Sequence, residues 1–361
     1  MRIGIVTQPL GHNYGGILQN YALQQVLKRL GHEPVTIDYH IKLTWTRFLL
    51  STIKSSLLYF LPGRRRKFAD FPKMHERNTI TNSFVEKRIA ITRPVCSYGL
   101  FLPIKYRLGC VITGSDQVWR PRYNEYLKDM YLRFVKGRKR LKIAYAASFG
   151  VDEWEYSDEL TRQCRTLAQR LDAVSVREKS GIKLCKNYLD VNAVEVLDPT
   201  LLLSADDYAA LCHNVKPADE PYIAAYVLDV DEHKQKILED FASKRNLPLR
   251  LFTAHKGLTL TVEQWLAMFR DASYVITDSF HGTVFSIINH KNFISIANID
   301  RGASRFESLL GKFGLQNRLV SSFDLVTDVP DIDWAPVDAR LAQWQEKSID
   351  FLKTSLNHKR K

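Results

Sequence analysis

No run of about 20 apolar residues occurs in the sequence, so no segment is long enough to cross a bilayer as a helix. Cysteine is scarce. Cys96, Cys110, Cys164, Cys185 and Cys212 are odd in number and scattered, with no CxxC pair and no Cys/His cluster of zinc spacing, so neither a disulfide framework nor a metal site is indicated. Two common phosphate-cradling signatures, GxGxxG and GxxxxGK followed by Ser or Thr, are both missing. The start carries no charged n-region with an apolar h-region and cleavage site; residues 3–7 read directly as a strand. The expectation is a cytoplasmic protein with reduced, buried thiols.

Acidic residues are nearly absent from one stretch. Residues 41–110 hold fourteen Lys and Arg but only Asp70, Glu76 and Glu86, which accounts for most of the net charge of +13. Such a region is either a solvated basic face or a surface for an anionic partner: nucleic acid, membrane or substrate. Elsewhere the composition, 45% hydrophobic and 25% charged, is that of a globular protein. A chain of 361 residues suits two domains.

Strand and helix patterns alternate along the whole chain. Strands are expected at 3–7, 35–37, 111–113, 143–146, 173–176 and 194–197, then at 222–228, 249–253, 274–277 and 293–297. Helices are expected at 17–30, 155–171, 178–189, 232–245, 282–289, 304–313 and 338–356. Ser204 with Asp207, and Thr261 with Gln264, have capping-box spacing. This alternation predicts an α/β protein of two Rossmann-like, doubly wound domains facing a cleft. The expected division is 1–200, with the basic insertion at about 41–110, then 201–336, and a helix at 337–361 packing back on the first domain.

Ligands of such a fold bind where strand carboxyl ends meet helix amino ends. Four places satisfy this. His12, Asn13, Gly15 and Gly16 follow the first strand, where the glycines serve a tight turn or bring backbone amides to an anion. Asp116, in "GSDQVW", is a helix cap or a partner for a substrate hydroxyl. Trp119 in the same run is core or a platform for a sugar ring. Arg177, in "VSVREKSG", is a paired surface cation or a clamp for a carboxylate or phosphate. Ser279, His281 and Gly282 follow the strand at 274; His281 suits proton transfer near neutral pH.

Taken together, "HNYGGILQNYALQQVLKRLGHE", "VITGSDQVW", "YAASFG", "VSVREKSG", "VLDPTLLL" and "ITDSFHGTVFSIINHKNF" resemble the polysaccharide pyruvyl transferases, from residue 1 to about 320. The resemblance implies a GT-B-like arrangement, phosphoenolpyruvate as donor, a sugar as acceptor and a pyruvate ketal as product, in capsule or exopolysaccharide synthesis. It implies no metal and no cofactor beyond that co-substrate. It also points to Asp116, Arg177 and His281 as active-site positions. Relatives often carry Arg-Leu-His where this chain has Ser279, Phe280 and His281, so Arg301 or Arg305 is expected to supply the missing cation beside Ser279, Gly282, Gly15 and Gly16. His12, Asn13, Asp116 and Trp119 are the expected acceptor contacts.

Family acceptors are often lipid-linked. Residues 43–67 place Trp45, Leu49, Ile53, Leu57 and Phe60 near one helical face before Arg64, Arg65, Arg66 and Lys67, the pattern of an interfacial helix with a polybasic flank. Peripheral contact with the inner membrane surface is therefore expected there; no nucleic-acid motif occurs. Two rival readings remain open: a glycosyltransferase using a nucleotide sugar, and a non-catalytic binder of anionic glycan. Nothing in the sequence sets the oligomeric state.

Overall fold

The computed structural model describes residues 1–11, 13–39, 79–95, 99, 101–124, 126–253, 259–297 and 302–358. The segment 43–67, expected to meet a membrane, lies outside the described residues.

The chain opens with β1 (Arg2–Val6), whose Ile3, Ile5 and Val6 are fully buried. Helix α1 (Tyr14–Arg29) follows. It begins three residues earlier than the apolar stripe indicates, because Tyr14 is itself buried and its hydroxyl donates to the Leu260 carbonyl at 2.6 Å. Next come β2 (Glu33–Thr36), α2 (Thr79–Arg88), β3 (Cys110–Thr113), β4 (Leu141–Ala147), α3 (Asp158–Ala168), β5 (Ala173–Val176), α4 (Lys179–Leu184) and β6 (Val194–Glu195). These strands form one six-stranded sheet in the order β2-β1-β3-β4-β5-β6. Every pairing is parallel. Pro34, which cannot donate to a ladder, is tolerated because β2 is an edge strand.

The linking run enters α5 (Ala205–Ala209), where both halves of the Ser204–Asp207 capping box are formed. The second sheet contains β7 (Ile223–Tyr226), β8 (Leu249–Phe252), β9 (Tyr274–Thr277), β10 (Asn292–Ile296) and β11 (Leu319–Val320), in the order β11-β10-β9-β7-β8. Its pairings are also all parallel. Its helices are α6 (Glu232–Lys244), α7 (Val262–Asp271), α8 (Phe280–Ile288) and α9 (Ser304–Phe313). The Thr261–Gln264 box caps α7. Parallel strands buried on both faces need continuous apolar runs. "YVIT" in β9 and "CVIT" in β3 supply them, with every residue buried.

Both units are thus doubly wound and Rossmann-like, and the architecture is GT-B-like. Each sheet reverses its winding once, between β1 and β3 and between β7 and β9. One apolar cluster runs through both units, from Ile3 and Leu23 to Phe285, Leu310 and Leu352. Helix α10 (Trp334–Leu356) starts one turn before its expected position, capped by Asp333. It ties the units together. Ser348 accepts from the Leu197 amide at 2.9 Å, Gln345 donates to the Leu201 carbonyl at 2.7 Å, and Arg340 donates to the Phe313 carbonyl at 2.7 Å. Cys110, Cys164, Cys185 and Cys212 are all buried. No helix among the described residues is long and apolar enough to cross a membrane.

Candidate active site

The two reversal points place the ends of β1, β3 and β9 where a cleft ligand is expected, and the chain turns sharply at each. After β3, Gly114 has φ +125°, and a Cβ there would lie 2.0 Å from the Tyr145 carbonyl oxygen, so only glycine fits. Ser115 is held by its amide, which donates to Gln19 Oε1 of α1 at 3.0 Å. Asp116 follows with φ +72°, a left-handed conformation that aspartate tolerates at some cost. Its main-chain oxygen accepts from the amides of Val118 and Ser148, which holds this geometry.

Arg177 leaves the end of β5 and meets two carboxylates. Its Nη1 donates to Asp198 Oδ2 at 2.8 Å and its Nη2 to Asp116 Oδ1 at 3.1 Å. Asp198 stands just beyond β6 and also accepts from Ser115 Oγ (3.1 Å), Thr200 Oγ1 (2.7 Å) and the Thr200 amide (3.1 Å). Glu178 accepts from the Phe149 amide at 2.9 Å, and its other oxygen lies 3.7 Å from Arg177 Nε. All of these side chains are buried.

His281 arrives from the second unit. Ser279 accepts from the Gly282 amide at 3.3 Å and so caps α8 two residues earlier than expected, which places His281 inside the first turn. Its Nε2 lies 3.8 Å from Asp198 Oδ2, within ion-pair range but too far for a hydrogen bond, and this buried nitrogen has no hydrogen-bond partner. The ring packs on Gly15 at Nδ1: a Cβ there would lie 2.0 Å from His281 Nδ1. Phe280, beside it, carries two guanidiniums over its ring, Arg177 at 4.4 Å and Arg305 of α9 at 5.7 Å from the centroid.

The charges sort themselves by these contacts. Burial alone would raise Asp198, but the His281 imidazole and the Arg177 guanidinium outweigh it and hold the carboxyl well below the usual range. Burial would lower Arg177, and the three carboxylates around it reverse that and raise it. Burial prevails at Glu178, which is raised despite Arg177. Arg305 is lowered to about 10 by burial and by the like charge of Arg177, against the opposing pull of Asp116 and Glu178. The cluster therefore sets an imidazole beside a buried carboxylate, next to a buried cation that an added anion would stabilise.

Of the residues singled out from sequence, Asp116, Arg177, His281, Gly15 and Arg305 belong to this cluster. Ser279 and Gly282 shape it: Ser279 caps the helix, and a Cβ on Gly282 would lie 2.2 Å from Thr277 Oγ1, so glycine lets the helix start close to β9. Gly16, half-buried in the first turn of α1, lies beside the exposed cap residue Asn13. The platform role of Trp119 is corrected. Its ring is wholly buried, stacks on Tyr131 at 4.7 Å, and its indole nitrogen donates to the Met130 carbonyl, so no face is open to a sugar. Arg177 is corrected in part: its terminal nitrogens are engaged by Asp116 and Asp198, so it organises carboxylates first. His12 and Arg301 lie outside the described residues. Sequence reasoning missed Asp198 and Glu178. The signal for Asp198 was "VLDPT", an acid at a strand end before proline. Among the described residues no group of three or more His, Cys, Asp or Glu is arranged to hold a metal ion.

A sequence model described as polysaccharide pyruvyl transferase matches residues 13–301. No curated protein matches the chain. Among solved structures, an alpha-glucosyltransferase in complex with UDP and a 13-mer DNA is 11% identical over 98% of this chain and 95% of its own, with a TM-score of 0.46. A UDP-GlcNAc 2-epimerase from Methanocaldococcus jannaschii is 10% identical over 100% and 94%, with a TM-score of 0.45. Neither likeness bears on the chemistry of the site.

Proposed function

Because the chain belongs to the polysaccharide pyruvyl transferase family, we propose that it transfers the pyruvyl group of phosphoenolpyruvate to two hydroxyls of one sugar, forming a pyruvate ketal. The setting is capsular or exopolysaccharide synthesis, and the acceptor is a sugar, in its natural form lipid-linked. The observation that carries the reading is the buried, unpartnered Nε2 of His281 beside Asp198, at a junction of both units.

The roles follow from the contacts. Phosphoenolpyruvate brings a carboxylate and a phosphate. Arg305 takes one of them, because an anion beside it offsets both its burial and its repulsion by Arg177. It stands in for the arginine that this chain lacks before Phe280. Arg177 holds Asp116 and Asp198 in place and adds positive potential over Phe280. His281, held by Asp198 and Gly15, is the general acid and base. Protonation of the donor methylene carbon makes the neighbouring carbon electrophilic. One sugar hydroxyl bonds to that carbon, the bond to phosphate breaks, and a second hydroxyl closes the ketal. Of the two protons lost by the hydroxyls, one balances the new methyl group and one leaves with phosphate. Asp116 receives the proton of the attacking hydroxyl.

The test is phosphate release from phosphoenolpyruvate over a panel of free and lipid-linked galactosides, glucosides and mannosamine derivatives, with His281→Ala alongside. The expected result is release that needs both an acceptor and His281, with the acceptor gaining the mass of pyruvic acid less one water. Protection from thermal unfolding by nucleotide sugars, with none from phosphoenolpyruvate, would replace this reading with glycosyl transfer.

A further inference from the structure

Helix α9 reaches the first unit at more than one point. Arg305, Ser308 and Lys312 stand at i, i+3 and i+7, on one helical face. Arg305 enters the cluster around Phe280. The other two enter a polar network that the chemistry above does not use. Lys312 Nζ donates to the Glu195 carboxylate at the end of β6, to the main-chain oxygen of Arg177 at 3.2 Å and to Ser308 Oγ at 2.8 Å. Ser308 Oγ donates to Glu195 Oε1 at 2.6 Å and accepts from the Lys179 amide at 3.1 Å. The hydroxyl therefore uses its one hydrogen and both lone pairs.

We propose that Lys312 is a positioning residue, pinning the helix that carries Arg305 to the strand end that carries Arg177, so that the two guanidiniums are held in register over Phe280. The pin is no surface ion pair: the Lys312 and Glu195 side chains are 5% and 12% exposed. Trp344 of α10 covers the ammonium, its ring centroid 5.2 Å from Nζ. Burial lowers Lys312 from its usual value, with Glu195 opposing. The grip falls on main chain at Arg177 and on both ends of the turn from Ser308 to Lys312. A shift of α9 along the interface would thus move Arg305 and break these bonds together.

This inference rests on the reading that Arg305 and Arg177 serve the donor, and the experiment separates the two. Lys312→Met alone leaves the buried Glu195 without a counter-charge, so it lowers stability whatever the pin does. The double variant Glu195→Gln with Lys312→Met removes both charges and is expected to regain most of the lost Tm. Phosphoenolpyruvate is then titrated by calorimetry. The expected result is a Kd raised roughly tenfold in the double variant at near wild-type Tm. An unchanged Kd overturns the pin. If the wild-type protein does not bind phosphoenolpyruvate, the donor reading fails, and hydrogen exchange tests the pin by itself. Amides at 177–181 and 304–312 are expected to lose protection together in the double variant. Loss on one side only, or on neither, overturns it.

Discussion

His281 and Gly15 occupy a space that holds only one side chain. A Cβ on residue 15 would lie 2.0 Å from Nδ1, 2.3 Å from Cγ and 2.5 Å from Cε1 of the imidazole. The ring comes from α8 of the second unit and the glycine from the first turn of α1, so the contact presses the Nδ1 side of the imidazole against the opposite unit.

Gly15→Ala is expected to move the ring by about an ångström or more and lower turnover at least ~100-fold. The overpacking cost in stability is about 1–3 kcal/mol. Steady-state phosphate release, paired with thermal unfolding, separates the two effects. Turnover within a few-fold of wild type would show that His281 does not need this placement.

Asp198 gives a prediction in pH. Its folded value is held below its unfolded one, which lies near 4. A depressed carboxyl contributes its stability in full above that unfolded value and loses it as pH falls toward the folded one. Asp198→Asn leaves Arg177 with a missing buried partner, at a cost of about 3–5 kcal/mol at neutral pH. The gap between wild type and variant should narrow steadily as pH is lowered below about 4. Urea denaturation of both proteins from pH 7 downward measures it. A gap that stays constant through that range would mean that Asp198 is not depressed by its neighbours.

Much of this site was legible before any coordinates, for a physical reason. A parallel, doubly wound sheet exposes strand ends at predictable places, so Asp116, Arg177 and His281 are found within a few residues after an apolar run. The same rule fits Asp198, but Glu195 interrupts the apolar run before it, and Pro199 reads as a break in the chain. What was not legible is pairing across distance. Nothing in the spacing of residues 177, 195 and 312 says that they meet, and nothing around Trp119 says that Tyr131 covers it. Periodicity reports which face of an element is apolar; which polar groups end up facing each other depends on how the two units dock.

Docking itself has a tight point. Gly302 has φ +93°, and a Cβ on it would lie 1.7 Å from the Gly150 carbonyl oxygen. Gly302→Ala therefore faces both a disfavoured backbone and a main-chain clash that cannot turn aside. The expected result is a raised KM for phosphoenolpyruvate, because Arg305, three residues on, is displaced with the loop. Unchanged KM and turnover would show that the two units have slack here.

Arg305 offers the sharpest separation of stability from function. Burial and the neighbouring Arg177 lower it to about 10, and the carboxylates of Asp116 and Glu178 only partly compensate. Burial and the repulsion from Arg177 disfavour its charge, and a bound anion would oppose both. Arg305→Met keeps an apolar stem against Phe280 and removes the charge, so thermal unfolding without donor reads its structural part and donor titration reads its binding part. Its affinity for phosphoenolpyruvate should fall at least ~10-fold, the loss of one charge-assisted contact. Calorimetric titration and thermal unfolding on the same samples give both numbers. Equal affinity in variant and wild type would remove Arg305 from the donor site; a lower Tm with equal affinity would make it a structural cation whose partners are Asp116 and Glu178.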